Sequence, residues 1–82
     1  MSDPIKDKQA SETLERFQAN YRWLHEHYNE LKSTYNNQWV AIDDNKVLDS
    51  DFEFHTLLDR IMNSYGAKRT SLMVFERIQT LK

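Results

Sequence analysis

The most regular feature of the chain is a run of apolar residues, Leu14, Phe17, Tyr21, Leu24, Tyr28, Leu31 and Tyr35, separated by alternating intervals of three and four. Those intervals place all seven on one stripe of a single helix. Ser11 or Thr13 is positioned to cap its start, because a hydroxyl there accepts one of the orphan backbone N–H groups. Asn36-Asn37 is positioned to end it, since asparagine tolerates the left-handed conformation of a helix stop. The pattern then changes. Gln38-Trp39-Val40-Ala41-Ile42-Asp43 is rich in β-formers and Lys46-Val47-Leu48-Asp49 is a shorter mate. Asp44-Asn45 between them accepts positive φ and suits a two-residue hairpin loop.

Beyond the hairpin, Ser50-Asp51-Phe52-Glu53 fits the S-x-x-E capping box and predicts a helix start. Phe54, Leu57, Leu58, Ile61 and Tyr65 form the apolar face of that helix, and Gly66, the only glycine, stands where a C-terminal stop belongs. After a Lys68-Arg69 turn, Thr70 to Ile78 reads as a last strand. The prediction is an α+β fold in the order α-β-β-α-β, with a three-stranded mixed sheet and both helices on one face. The second helix links strands two and three, so those two should run parallel through a right-handed crossover. The Trp39–Ile42 strand, the most apolar, is expected at the centre. Residues 1–10 are polar and aperiodic, an expected flexible arm, which leaves 11–82 as one domain.

With these elements in place, the residues resemble a family of small prokaryotic proteins of unknown function. The likeness is carried by the Trp39-Val40-Ala41-Ile42 strand, the Asp43-Asp44-Asn45-Lys46 hairpin into Val47-Leu48, the helix with Leu57-Leu58, and the Val74-Phe75-Glu76-Arg77 strand. Trp23-Leu24 on the preceding helix extends it, so it covers roughly residues 19 to 78. The resemblance implies this fold. It implies no reaction, and no residue inherits a catalytic role from it.

Composition narrows the function classes. The 82 residues contain no cysteine, so disulfides and thiolate ligands are absent together. A reducing cytoplasm is the expected setting. No run approaches the ~20 apolar residues that span a membrane. A chain this short buries only about 60% of the surface its unfolded state exposes, and a second subunit is one common compensation. Net charge is −2, from 11 basic and 13 acidic residues. Lys68, Arg69, Arg77 and Lys82 face only Glu76 in the tail, short of the basic excess typical of nucleic-acid binders.

Candidate chemistry is sparse. His25 and His27 point roughly 200° apart on a helix, so they cannot chelate one ion together. His27 with Glu30, or Glu26 with Glu30, supplies two ligands where a metal needs three or more; His55 stands alone. Asp43, Asp44, Asp49, Asp51 and Glu53 invite a calcium reading. The calcium loop, however, needs alternating oxygen ligands and a glycine at its sixth position, and Val47-Leu48 occupy the middle here. The serines lack a nucleophile elbow, and one glycine cannot build a phosphate loop. We therefore expect no catalytic residue, no cofactor and no metal.

The heptad-like stripe has the most functional reach. Its period is that of a coiled coil, at the minimum length for one, and its tyrosines suit a half-wet seam. Trp23, one position off the stripe, is large to leave in water. The expected function is a non-enzymatic protein-interaction module, self-associating as a homodimer, with a cognate protein as the other candidate partner. The expected contact residues are Phe17, Tyr21, Trp23, Leu24, Tyr28 and Leu31. The alternative is a small nucleic-acid-associated regulator using the basic last strand, with Trp39 or Phe75 stacking on bases.

Overall fold

In the computed structural model, residues 4–79 are described, with side chains over 13–79. The elements are α1 (Pro4–Thr34), β1 (Trp39–Asp43), β2 (Lys46–Asp51), α2 (Phe54–Thr70) and β3 (Val74–Arg77), in the order α-β-β-α-β. α1 begins at Pro4 rather than near Ser11, so residues 4–10, expected as part of an arm, continue the helix. Proline is well suited to the first turn because its missing N–H has no helical partner there. Residues 1–3 of the expected arm lie outside the described residues.

The sheet order is β2-β1-β3, with the most apolar strand in the centre as expected. Both strand pairs are antiparallel. β2 and β3 do run in the same direction, but β1 lies between them, so no parallel pair forms and the sheet is not mixed. The hairpin loop is as its residues require, with Asp44 at φ 56° and Asn45 at φ 59°. A bulge between the Ala41–Asp49 and Ile42–Val47 pairs leaves Leu48 as an extra residue on β2. Asn37, at φ 65°, turns the chain out of α1.

Successive residues of a strand point to opposite faces, and on β1 both faces are filled. Val40 and Ile42 pack with Leu24 and Leu31 of α1 and with Val74 and Ile78. Ala41, between them, packs with Leu57 and Ile61 of α2 and with Met73. Val47 joins the first cluster and the bulged Leu48 the second. The helices therefore cover opposite faces of the sheet, not one face as expected. The reason lies in β1, where Val40, Ala41 and Ile42 are all fully buried. A central strand that is apolar on both sides needs a helix on each.

Two further local expectations are revised. The capping box does not form: Ser50 is part of β2, paired with Val40, and the Glu53 side chain makes no capping hydrogen bond. The turn into α2 is made instead by Asp51, whose Oδ1 accepts the Glu53 N–H at 2.8 Å. Gly66 breaks α2 at φ 83°, ψ 161°, but the chain re-enters a helical turn to Thr70. Thr70 Oγ1 donates to the Gly66 carbonyl at 2.7 Å across the break. The last strand is correspondingly shorter than expected and starts at Val74.

α1 is longer than its sheet. Its 31 residues span about 46 Å at 1.5 Å per residue, and the molecule measures 49 × 27 × 17 Å. From Thr13 to Ala19 every residue is exposed, and burial begins at Asn20. Leu24→Ala should thus cost about 2–5 kcal/mol, while Leu14→Ala on the projecting half should stay within about 0.5 kcal/mol. Urea unfolding of the two variants checks the contrast. Gly66→Ala meets no atom within 4 Å of its new Cβ. It should nonetheless cost about 1–3 kcal/mol, because that backbone region is closed to other residues.

Candidate functional site

Asp43 is the last residue of β1 and has no solvent exposure. An isolated carboxylate in such a place would be strongly disfavoured unless it is paired and hydrogen-bonded. Here four bonds reach it. Arg16 of α1 donates through Nε to Oδ1 at 3.0 Å and through Nη2 to Oδ2 at 2.8 Å. Asn20, one turn further along α1, donates through Nδ2 to Oδ1 at 2.9 Å. Arg69, in the helical turn after Gly66, donates through Nε to Oδ2 at 3.1 Å. A carboxylate offers about four acceptor positions, so each oxygen carries its full pair. Burial by itself would push this carboxyl up, but the bonds from Arg16, Asn20 and Arg69 outweigh it and hold the group at about 2. Such a group neither abstracts nor donates a proton near neutral pH.

The donors around it are seated as well. Asn20 is itself buried and also donates to the Leu72 carbonyl at 3.1 Å. Arg69 lies over the ring of Tyr65, 4.7 Å from its centroid, a cation–π contact that steadies the guanidinium. Arg16 and Arg69 keep 43% and 39% of their side-chain surface in solvent. The cluster thus joins α1, the end of β1 and the end of α2 around one anion.

A third arginine works at the edge strand β2. Arg60 of α2 donates to both oxygens of Asp49, at 2.9 and 3.1 Å, to Asp51 Oδ2 at 2.9 Å, and to the Ser50 carbonyl at 2.8 Å. The bonds from Arg60 hold the Asp49 carboxyl below its usual range. The Glu53 backbone N–H, with Arg60, does the same for Asp51. Asp43, Asp49 and Asp51, from the acidic stretch read from the sequence, are thus ion-pair partners of arginines. Arg16 and Arg60 were not singled out by sequence reasoning, and Arg69 was read only as a cation of the basic tail, because the three lie 9 to 27 residues from the acids they bind. One signal was available: Asp43 directly continues the apolar run of the central strand, and a carboxylate that is buried calls for cations.

The stripe of α1 divides. Leu24 and Leu31 lie in the chain's own core, and Trp23 and Tyr28 are half-buried against it. These four of the six expected contact residues serve the fold. Phe17 and Tyr21 remain exposed at 42% each, joined by Leu14 at 55%. At 100° per residue these three sit roughly 30–90° round the helix from the Leu24–Leu31 line. Phe17 and Tyr21 touch ring to ring at 6.2 Å, and His25 continues the row at 4.8 Å from Tyr21. His27 is turned elsewhere: its ring stacks on Trp23 at 4.4 Å, and its Nδ1 lies 2.9 Å from the Trp23 carbonyl. Among the described residues no three His, Asp or Glu side chains are grouped to hold a metal ion. No helix among them is long and apolar enough to cross a membrane.

Asp43 makes stability depend on acid. Its carboxyl ordinarily titrates at 3.8 and is held at about 2 in the fold, so its contribution is present above pH 3.8 and is lost as pH falls towards 2. The loss should amount to about 2 kcal/mol. Thermal unfolding between pH 6 and pH 2 should show this limb in the native chain and a shallower one in Asp43→Asn.

No family model, no curated protein and no solved structure matches this chain.

Proposed function

We propose that this protein is a non-enzymatic interaction module that self-associates through the projecting half of α1. The observation that carries the reading is the row Leu14, Phe17 and Tyr21, large apolar side chains left exposed on a helix that extends past its own sheet. The row continues, without a break in its three-four period, the stripe whose later members are core. That period is the one at which two helices pair with each other. A second copy brings the same row, so the surface is its own complement about a two-fold axis.

Charge is compatible with such pairing. Between Pro4 and Arg22 the sequence has Lys6, Lys8, Arg16 and Arg22 against Asp7, Glu12 and Glu15, a near balance without a single-sign block. The exposed parts of the three side chains come to roughly 300 Å² per copy, taking ~150–250 Å² for an aromatic side chain. Two copies then bury less than the ~1,200 Å² of a standard interface, so the pairing is weak and concentration-dependent. The cytoplasmic setting belongs to the same reading, in keeping with a chain that has no cysteine.

The nucleic-acid alternative draws no comparable support. Arg69 is engaged by Asp43 and Tyr65. Trp39 and Phe75 are half-buried, each in ring contact with Phe54. The non-enzymatic part of the reading is supported by Asp43, a buried carboxylate whose acceptor positions are all taken.

Light scattering on a size-exclusion column, run as a dilution series, tests the proposal. The mass should rise from one chain towards two between micromolar and millimolar concentration, the range such a small interface allows. The paired change F17E and Y21E should hold it at one chain with the fold intact by circular dichroism. A native chain that stays monomeric throughout removes the reading.

A further inference from the structure

We infer that Asp43 is a latch that couples the projecting half of α1 to the helical turn at the end of α2, so that loosening either one loosens the other. The two segments are 26 and 27 residues from Asp43 in sequence, on opposite sides of it. They also belong to helices on opposite faces of the sheet. Their side chains nonetheless share one carboxylate, and share its oxygens: Oδ2 accepts from both Arg16 and Arg69. Asn20 adds a second link, with one amide nitrogen bonded to both Asp43 Oδ1 and the Leu72 carbonyl just after the α2 turn. The break at Gly66 re-aims the chain before it reaches Arg69.

The coupling follows from the electrostatics of sharing. A buried carboxylate tolerates the loss of no partner cheaply, because the group left behind stays buried and short of donors. If Arg69 leaves, Asp43 becomes an under-bonded buried anion and draws water or shifts. The seat of Arg16 and Asn20 shifts with it. The same holds in reverse, since coupling between two sites is reciprocal. The latch does not depend on self-association. It does set the direction in which the row Leu14, Phe17 and Tyr21 is presented, because Arg16 and Asn20 are interleaved with those residues along the helix.

Native-state hydrogen exchange of the backbone amides tests this. R69Q, a change in α2, should speed exchange of the amides of 16–23 in α1 about five- to tenfold, in the range of ordinary coupling. R16Q should do the same for the amides of 67–73. R60Q removes an arginine of similar exposure whose guanidinium, among the described residues, bonds to Asp49, Asp51 and the Ser50 carbonyl, and it should leave the amides of 16–23 unchanged. Independent responses, with R69Q confined to 66–73 and R16Q confined to α1, overturn the latch. An equal response of 16–23 to R60Q and R69Q also overturns it, by showing general destabilisation. These variants change half-exposed arginines, so the test stands even if D43N does not fold, and its outcome is separate from the mass of the native chain.

Discussion

A carboxylate without solvent access at the end of the central strand constrains everything packed around it. Asp43 could not occupy that position alone, and the fold answers with two arginines and an asparagine drawn from both helices. The direction in which α1 leaves the sheet, the break at Gly66 and the short turn behind it all serve to bring those donors to one point. A buried ion pair of this kind is weak evidence for net stability, since desolvation offsets much of the Coulomb gain. What it adds is geometry: the observed bonds require Arg16, Asn20 and Arg69 to meet at one point. The apolar clusters hold the helices on the sheet, and Asp43 specifies where along it they lie.

The same economy appears at the edges. A three-stranded sheet has two open edges, each a template for unwanted pairing. β2 carries Asp49 and Asp51 held by Arg60, whose guanidinium also takes the Ser50 carbonyl. That edge is therefore charged and partly capped. β3 is guarded differently, by being only four residues long. Beyond it, the Gln79 N–H is taken by the Tyr28 hydroxyl at 3.1 Å. The tyrosines of the α1 stripe thus have more than one use, since Tyr28 closes the sheet while Tyr21 faces solvent.

The legible part of this structure was the part written in local patterns. The element order, the hairpin at Asp44-Asn45, the central place of β1 and the long first helix follow from period and turn chemistry over a few residues. The errors share one cause, which is competition from distant partners. Ser50 is a sound capping residue by its spacing to Glu53, but pairing with Val40 keeps it in the sheet. Gly66 marks the break in α2 correctly, yet the Thr70 hydroxyl and the ion pair of Arg69 hold the chain in helix for one more turn. The placement of both helices on one face treated the apolar run of β1 as a matter of strand pairing. Val40, Ala41 and Ile42 in succession instead demanded cover on both sides. In the candidate site, the helical period placed Phe17 and Tyr21 on the stripe of α1 but not outside the chain's own core, and Asp43 was read as a turn acid because its arginines lie far away in sequence.

The division of α1 follows from a count of surfaces. A single three-stranded sheet offers two faces, and the described residues form two helices, one for each. Once Leu24 and Leu31 have met Val40 and Ile42, the first face is occupied, and the sheet extends no further under the helix. The turns that carry Leu14 and Phe17 have no layer of their own chain to rest on, although their spacing is that of residues meant to be buried. A short chain with a marginal core would be expected to end such a helix where the sheet ends, as polar residues could easily do. The stripe instead runs on at the same period through Phe17 to Leu14. The proposed pairing with a second copy would give this half the cover its own sheet does not, and the ion pair between Arg16 and Asp43 ties that half of the helix to the end of β1.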